Sequence, residues 1–358
     1  MATKKFIQFY ENSECTFDFN NFFQNVFEHQ SPVRSNKQKV ECNIPINVIL
    51  QNLCDSVLGN LFQNDSFKSM VKIQVPLPYL QPFYKLVKTV YESDRNYNDD
   101  IMPKLILYLH MSKCKFDNFR FMDFFLRIDS VRICSQLDKN YFWFVSELES
   151  LYLKVVNNNQ IRETAMDVVK KITRLLTVTY DFKALQLKFF STTIGGLNGF
   201  AGINTIYVSI NSLHGFYQQL NVKLDKDNSF IILKLNFLRL VLHEMAHVIL
   251  RNFLNDVNVS TPDELKKSKL KEPVSESQNM VEEAGIMAEI HFFGARINWC
   301  ESIKNSEFNI QYCADFLKRF EENQKVKFDI DVAKIEKCRD EPSLMAIDES
   351  KFHGFEFE

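Results

Sequence analysis

No uninterrupted apolar run reaches the roughly eighteen residues that a membrane-spanning helix needs, so no span is expected. An excess of one charge is lacking too. The 43 Lys and Arg nearly cancel the 45 Asp and Glu, and the net charge of −2 offers no electrostatic footing for nucleic acid or an anionic membrane surface. The eight cysteines never form a Cys-x-x-Cys pair, and their scatter suits reduced thiols in an intracellular, cytoplasmic protein better than a disulfide frame. No apolar core segment follows Met1 to Phe6, which argues against a secretory leader. Internal repeats and long low-complexity tracts are absent. Glycine is scarce at nine residues, and four of them fall between Gly195 and Gly202, where backbone freedom is therefore concentrated.

What remains is a chain of 358 residues, long enough to bury a substantial core in two domains or one large one. Breakers and apolar periodicity divide it. The reading gives an aromatic-rich helical stretch over Phe17–Phe27 and helices over Ile46–Phe62, Pro82–Tyr91 and Pro103–Ser112. The Phe-dense Asp117–Leu126 reads as core, and Ser146–Val156 and Gln160–Leu176 continue the helical pattern. From Val178 to Ile210 the character turns to strand and glycine-rich loop, with β-formers around Ile206–Ile210. Helices return near Tyr312–Glu322 and Asp331–Cys338. The expected class is α+β and predominantly helical, with a helical region over 1–175 and a second region over 176–358 that carries the chemistry.

That chemistry is written at residues 243–247, His-Glu-Met-Ala-His, inside an apolar stretch with no Pro or Gly from Leu233 to Leu254. On a helix His243 and His247 project from one face, one turn apart, so two imidazole nitrogens can reach one Zn²⁺ at roughly 2.0–2.1 Å. Glu244 stands beside them, placed to take a proton from water rather than to bind the metal. Three polar side chains in the middle of an apolar helix are costly unless something compensates them. Zinc does so; a satisfied pair of core histidines is the competing reading.

The third ligand decides the class. In an extended H-E-x-x-H-x-x-G-x-x-H pattern Leu250 stands where the glycine belongs and Phe253 where the third histidine belongs. A glutamate from a following helix is the alternative. Residues 281–294 read as that helix, with Ser275 and Gln278 as a capping box ahead of it. Glu283 shares a face with Ile286, Met287, Ile290, Gly294 and Ile297, an apolar stripe on which an anion needs a partner. Glu282 falls with Gly285, Glu289, Phe293 and Arg296 on what reads as a wetter face. Glu283 is therefore the chosen ligand and Glu282 its substitute. Gly285 offers room for close helix approach.

His243-Glu244-x-x-His247 with a downstream helical glutamate resembles the gluzincin metallopeptidases. The likeness covers only about Asn236–Trp299, roughly a sixth of the chain, so it points to a superfamily and no closer group. It implies a zincin-like catalytic domain, zinc held by two histidines and one glutamate, and Glu244 as general base in peptide hydrolysis. Two features depart from the pattern. The interval between His247 and Glu283 is long and includes the lysine-rich Ser260–Gln278, and Met287 occupies the position where an acidic residue often orients a ligand histidine. That orienting task falls to Glu289, Asp256 or a main-chain carbonyl. The resemblance also implies that the strand Thr205–Asn211, with Thr205, Tyr207 and Ser209, pairs with an extended peptide or protein substrate; a plain structural hairpin is the other reading. His291, Arg296, Tyr207 and Tyr312 are the candidate oxyanion donors, with His214 close after the strand. The rival functions are a zinc hydrolase of non-protein substrates and a non-catalytic interaction protein with an accidental motif.

Overall fold

The computed structural model describes residues 2–18, 21–22, 46–63, 75–92, 99–112, 125–257 and 283–338. It is predominantly helical with a small mixed sheet. The capping box at Ser275 and Gln278, the lysine-rich segment and Glu282 lie outside the described residues.

The chain divides into two compact units. The first comprises Met1–Ile133 with Ser191–Ile194 and Asn255–Asn258. Its helices are α1 (Ala2–Glu11), α2 (Ile46–Gln63), α3 (Leu77–Glu92) and α4 (Ile101–Met111). Thr16–Phe17 is a short strand, β1, antiparallel to β2 (Val75–Pro76), so Phe17 stands in a strand rather than at the head of a helix. Rings hold this unit together: Phe6, Phe17, Phe22, Phe83, Tyr108 and Phe125 are all buried, with Phe6–Phe17 and Phe83–Tyr108 centroids 5.3 and 4.9 Å apart.

The second unit comprises Cys134–Phe190, Gly195–Leu254 and the residues from Val259 onward. The sequence-based boundary near 175 is thus displaced. Helices α5 (Val145–Asn157) and α6 (Asn159–Thr173) share one apolar core with the motif helix, because Leu148, Leu151, Val155, Ile161, Val168 and Val169 recur at helical spacing and are buried against it. Asn158 starts α6 by accepting a hydrogen bond from the Ile161 N–H at 3.1 Å.

Three strands of this unit position the site. β3 (Gln186–Ser191) pairs in parallel with β5 (Thr205–Ser209), and β4 (Gly199–Ala201) pairs with β5 antiparallel. Asn204, at φ 50°, turns the chain between β4 and β5, a conformation asparagine tolerates. Ser209 ends β5 and caps the next helix, α7 (Ile210–Leu220), by accepting from the Ser212 N–H at 3.2 Å. Then comes α8 (Lys226–Leu254), opened by Asp225, whose side chain accepts from the Asn228 N–H at 2.8 Å. Nearly every side chain from Phe237 to Arg251 is buried, so α8 is the axis on which the other elements pack. α9 (Ala284–Phe293) lies against it, and α10 (Ile310–Glu321) packs on the same core. Among the described residues no helix is long and apolar enough to cross a membrane.

Candidate metal centre

Helix α8 delivers His243 and His247 one turn apart, their ring centroids 5.2 Å from each other. Across from them the chain enters α9. Glu283 is the N-cap of that helix: its Oε1 accepts from the Gly285 N–H at 3.2 Å and its Oε2 from the Ile286 N–H at 2.7 Å. The same carboxylate meets both histidines, Oε1 lying 3.7 Å from His243 Nε2 and in direct contact with His247 Nε2. One ligand atom from each of the three residues falls within 4.8 Å of the others, and all three residues are buried.

Placing Glu283 within a helix is corrected by this geometry. The helix begins after Glu283, and the face that reads as wet in the sequence is packed, as is Met287 of the apolar stripe. Gly285, Glu289 and Phe293 are buried, whereas Ile290 is 44 % exposed. Gly285 accounts for the choice of face, because a Cβ built there would lie 2.3 Å from His243 Cδ2. Only a residue without a side chain lets α9 approach the imidazole this closely.

Glu289 completes the setting. Its Oε1 lies 2.7 Å from His243 Nδ1 and accepts from Arg239 Nη1 at 2.8 Å. An ionised carboxylate only accepts, so the hydrogen between them is carried by Nδ1. Of the groups the sequence offers for holding His243, Glu289 is the one that meets its ring. His247 Nδ1, by contrast, is buried without a hydrogen-bond partner among the described residues.

Burial opposes ionisation of all these groups, and their mutual charges decide the outcome. For His243 the neighbouring carboxylates of Glu283, Glu244 and Glu289 overcome burial and raise its pKa to about 9. For Glu283 burial is overcome by the two imidazoles, which hold its carboxyl well below the usual range. Arg239 does the same for Glu289, with the His243 contact adding to it. Glu244 goes the other way. Burial dominates and raises its pKa, with the imidazoles pulling against the rise. Its carboxylate accepts no hydrogen bond from the described residues.

Three buried carboxylates face two buried or half-buried guanidiniums, Arg239 and Arg251. The remaining negative charge is one that protons on imidazole or on Glu244, or a bound cation, would offset. Two imidazole nitrogens and a carboxylate oxygen are a donor set that zinc accepts, so the residues present fit the metal.

Compared with known proteins, the chain matches no family model, no curated protein and no solved structure.

The other expected site residues are engaged elsewhere. β5 is paired on both sides, so its backbone has no open edge for a peptide. Thr205 donates to the Ile203 carbonyl at 3.2 Å, Tyr207 stacks on Phe200 with centroids 4.7 Å apart, and Ser209 caps α7. The outer strand of this part of the sheet is β4, yet Gly199, Phe200 and Ala201 are all buried, and the Ala201 carbonyl accepts from Arg251 Nη1. Tyr312 accepts from the Asp329 N–H at 2.7 Å and braces the chain after α10. His214 packs against Phe142, and His291 sits exposed in the last turn of α9. Sequence reasoning missed Arg239 and Arg251. Their signal was available: Arg239, His243, His247 and Arg251 recur every fourth residue on α8, so two cations lie in register with the histidines inside an apolar helix.

Proposed function

We propose that this chain is a zinc-dependent hydrolase of the zincin type that cleaves peptide bonds. The observation carrying the reading is the buried convergence of His243, His247 and Glu283 beside a buried Glu244 that accepts no hydrogen bond from the described residues. The order of the described elements supports it as well: a small sheet, then the helix bearing His-Glu-x-x-His, then a glutamate at the start of a later helix. The peptide as substrate class comes from the resemblance of the motif to gluzincins.

His243, His247 and Glu283 would hold the metal, and three protein ligands leave room for the open position a catalytic site keeps. Zinc, when bound, supplies a Lewis acid and acidifies water toward a pKa of about 7. Glu244 does the proton work. It accepts the proton of the attacking water as the oxygen adds to the carbonyl carbon, then gives that proton to the amine nitrogen as the C–N bond breaks. Burial suits the task, because it raises the Glu244 pKa and so favours the protonated form the base must reach. Glu289 holds the His243 ring in the required tautomer.

A purely structural metal centre has no use for a base at Glu244, so the substitution Glu244→Gln tests the reading. With zinc-loaded protein and a mixed peptide library, the wild type is expected to cleave. Glu244→Gln is expected to keep its metal and lose cleavage by about 10²–10⁴-fold, the range of a general-base contribution. Equal cleavage by both proteins, or by neither, would sink the proposal.

A further inference from the structure

His243 has a partner at Nδ1 where His247 has none among the described residues, and the means of holding it extends back along α8. Asn236, Arg239 and His243 follow one another at three- and four-residue spacing and so form a single stripe on that helix. Gly285 and Glu289, four residues apart, form the facing stripe on α9. Asn236 Oδ1 accepts from Arg239 Nε at 3.2 Å and from Nη2 at 3.1 Å, which fixes the plane of the guanidinium. Nη1 of that group then meets Glu289 Oε1, the same oxygen that receives the His243 Nδ1 proton. Glu289 Oε2 is buried with no hydrogen-bond partner among the described residues. Both contacts therefore rest on one oxygen, and without the arginine the carboxylate would be free to turn that oxygen away from the ring.

We infer that Arg239 is a positioning residue of the metal centre, acting on His243 through Glu289, and that Asn236 in turn holds Arg239. The inference rests on the zinc reading above. It goes further in stating that the centre needs a cation one turn before its first histidine. Arg239 touches neither metal nor substrate; it fixes where the His243 lone pair points. A lysine cannot reproduce the role fully, since one ammonium lacks the planar fork that engages Asn236 and Glu289 together.

The test is a cycle of zinc affinities, read by competition with a chromophoric chelator, on wild type, Arg239→Met, Glu289→Gln, the double variant and Arg239→Lys. Far-ultraviolet circular dichroism of each metal-free protein checks folding. Each single variant is expected to weaken zinc by about 10–100-fold, the usual scale for losing an outer-shell support. The double variant should be no weaker than the weaker single one, because one residue acts through the other. Arg239→Lys should recover part of the loss. Cobalt(II) in place of zinc gives a second readout: its visible absorption bands should shift in both single variants, as a turned imidazole requires. If Arg239→Met fails to fold, Asn236→Ala carries the test, with a smaller loss and the same spectral shift. Wild-type affinity and spectrum in Arg239→Met, or in Asn236→Ala if that variant carries the test, would overturn the inference, as would losses that multiply in the double variant. A wild type that binds no zinc overturns the metal centre and this inference together. A wild type that binds zinc but ignores the change at Arg239 overturns the inference alone.

Discussion

At Gly285 a hydrogen stands where any other residue would place a carbon 2.3–2.5 Å from the atoms of the His243 ring. Helix propensity alone favours alanine there, by up to about 1 kcal/mol. The contact argues the reverse. Gly285→Ala is expected to weaken zinc by about 10-fold or more, on the scale of a lost supporting contact, and to lower the melting temperature of the metal-free protein. Zinc titration and thermal unfolding check it; unchanged affinity with raised stability would mean that the close approach has no role. Residues of this kind were only partly legible. His243, Glu244 and His247 announce themselves, because ligand and base chemistry fall at a spacing that one helix presents together. The sequence also suggests Gly285 as a point of close approach and Glu289 as an orienting group. Which partner each would meet depends on how α8 and α9 face each other, and apolar periodicity does not encode that.

Element boundaries shape the centre as much as residue types do. Because α9 starts after Glu283, the carboxylate sits at the helix N-terminus, where the unpaired N–H groups and the helix dipole favour a negative charge. A helix drawn through residues 281–294 hides this and misses a second buried face, since a paired glutamate such as Glu289 makes that face read as wet. Glu283 consequently has two separable roles. Glu283→Ala loses both the metal and the cap; Glu283→Gln loses the charge but keeps an oxygen that can accept from the Ile286 N–H. Without metal, Glu283→Ala is expected to be less stable than Glu283→Gln by about 0.5–2 kcal/mol, the value of an N-cap. Equal stability in chemical unfolding would remove the capping role. Long periodic elements were legible: α5, α6 and α10 begin and end within a few residues of their expected bounds. The strand Thr205–Ser209 was legible as a strand, but not as one paired on both sides. Neighbours in a sheet are set by distant segments, here β3 and β4, so the expected peptide-binding edge is absent from β5.

Over the whole chain the organising fact is that α8 is buried nearly all round from Phe237 to Arg251. The residues before 175 do not form one helical region. Those from Cys134 onward join the motif helix in a common core, and earlier ones form a separate unit built on phenylalanine. The candidate metal centre thus lies in the interior of the second unit, where the three side chains are brought together by folding. Zinc should accordingly stabilise the protein by about 2.7 kcal/mol when free metal is at a hundred times its dissociation constant, and a chelator should reverse the shift. The central claim is that His243, His247 and Glu283 form a zinc site served by Glu244, and elemental analysis of metal-reconstituted protein tests it most directly. About one zinc per chain is predicted in the wild type, in Glu244→Gln and in Glu282→Ala, and none in Glu283→Ala. A wild type without zinc, or a Glu283→Ala that retains it, would contradict the account.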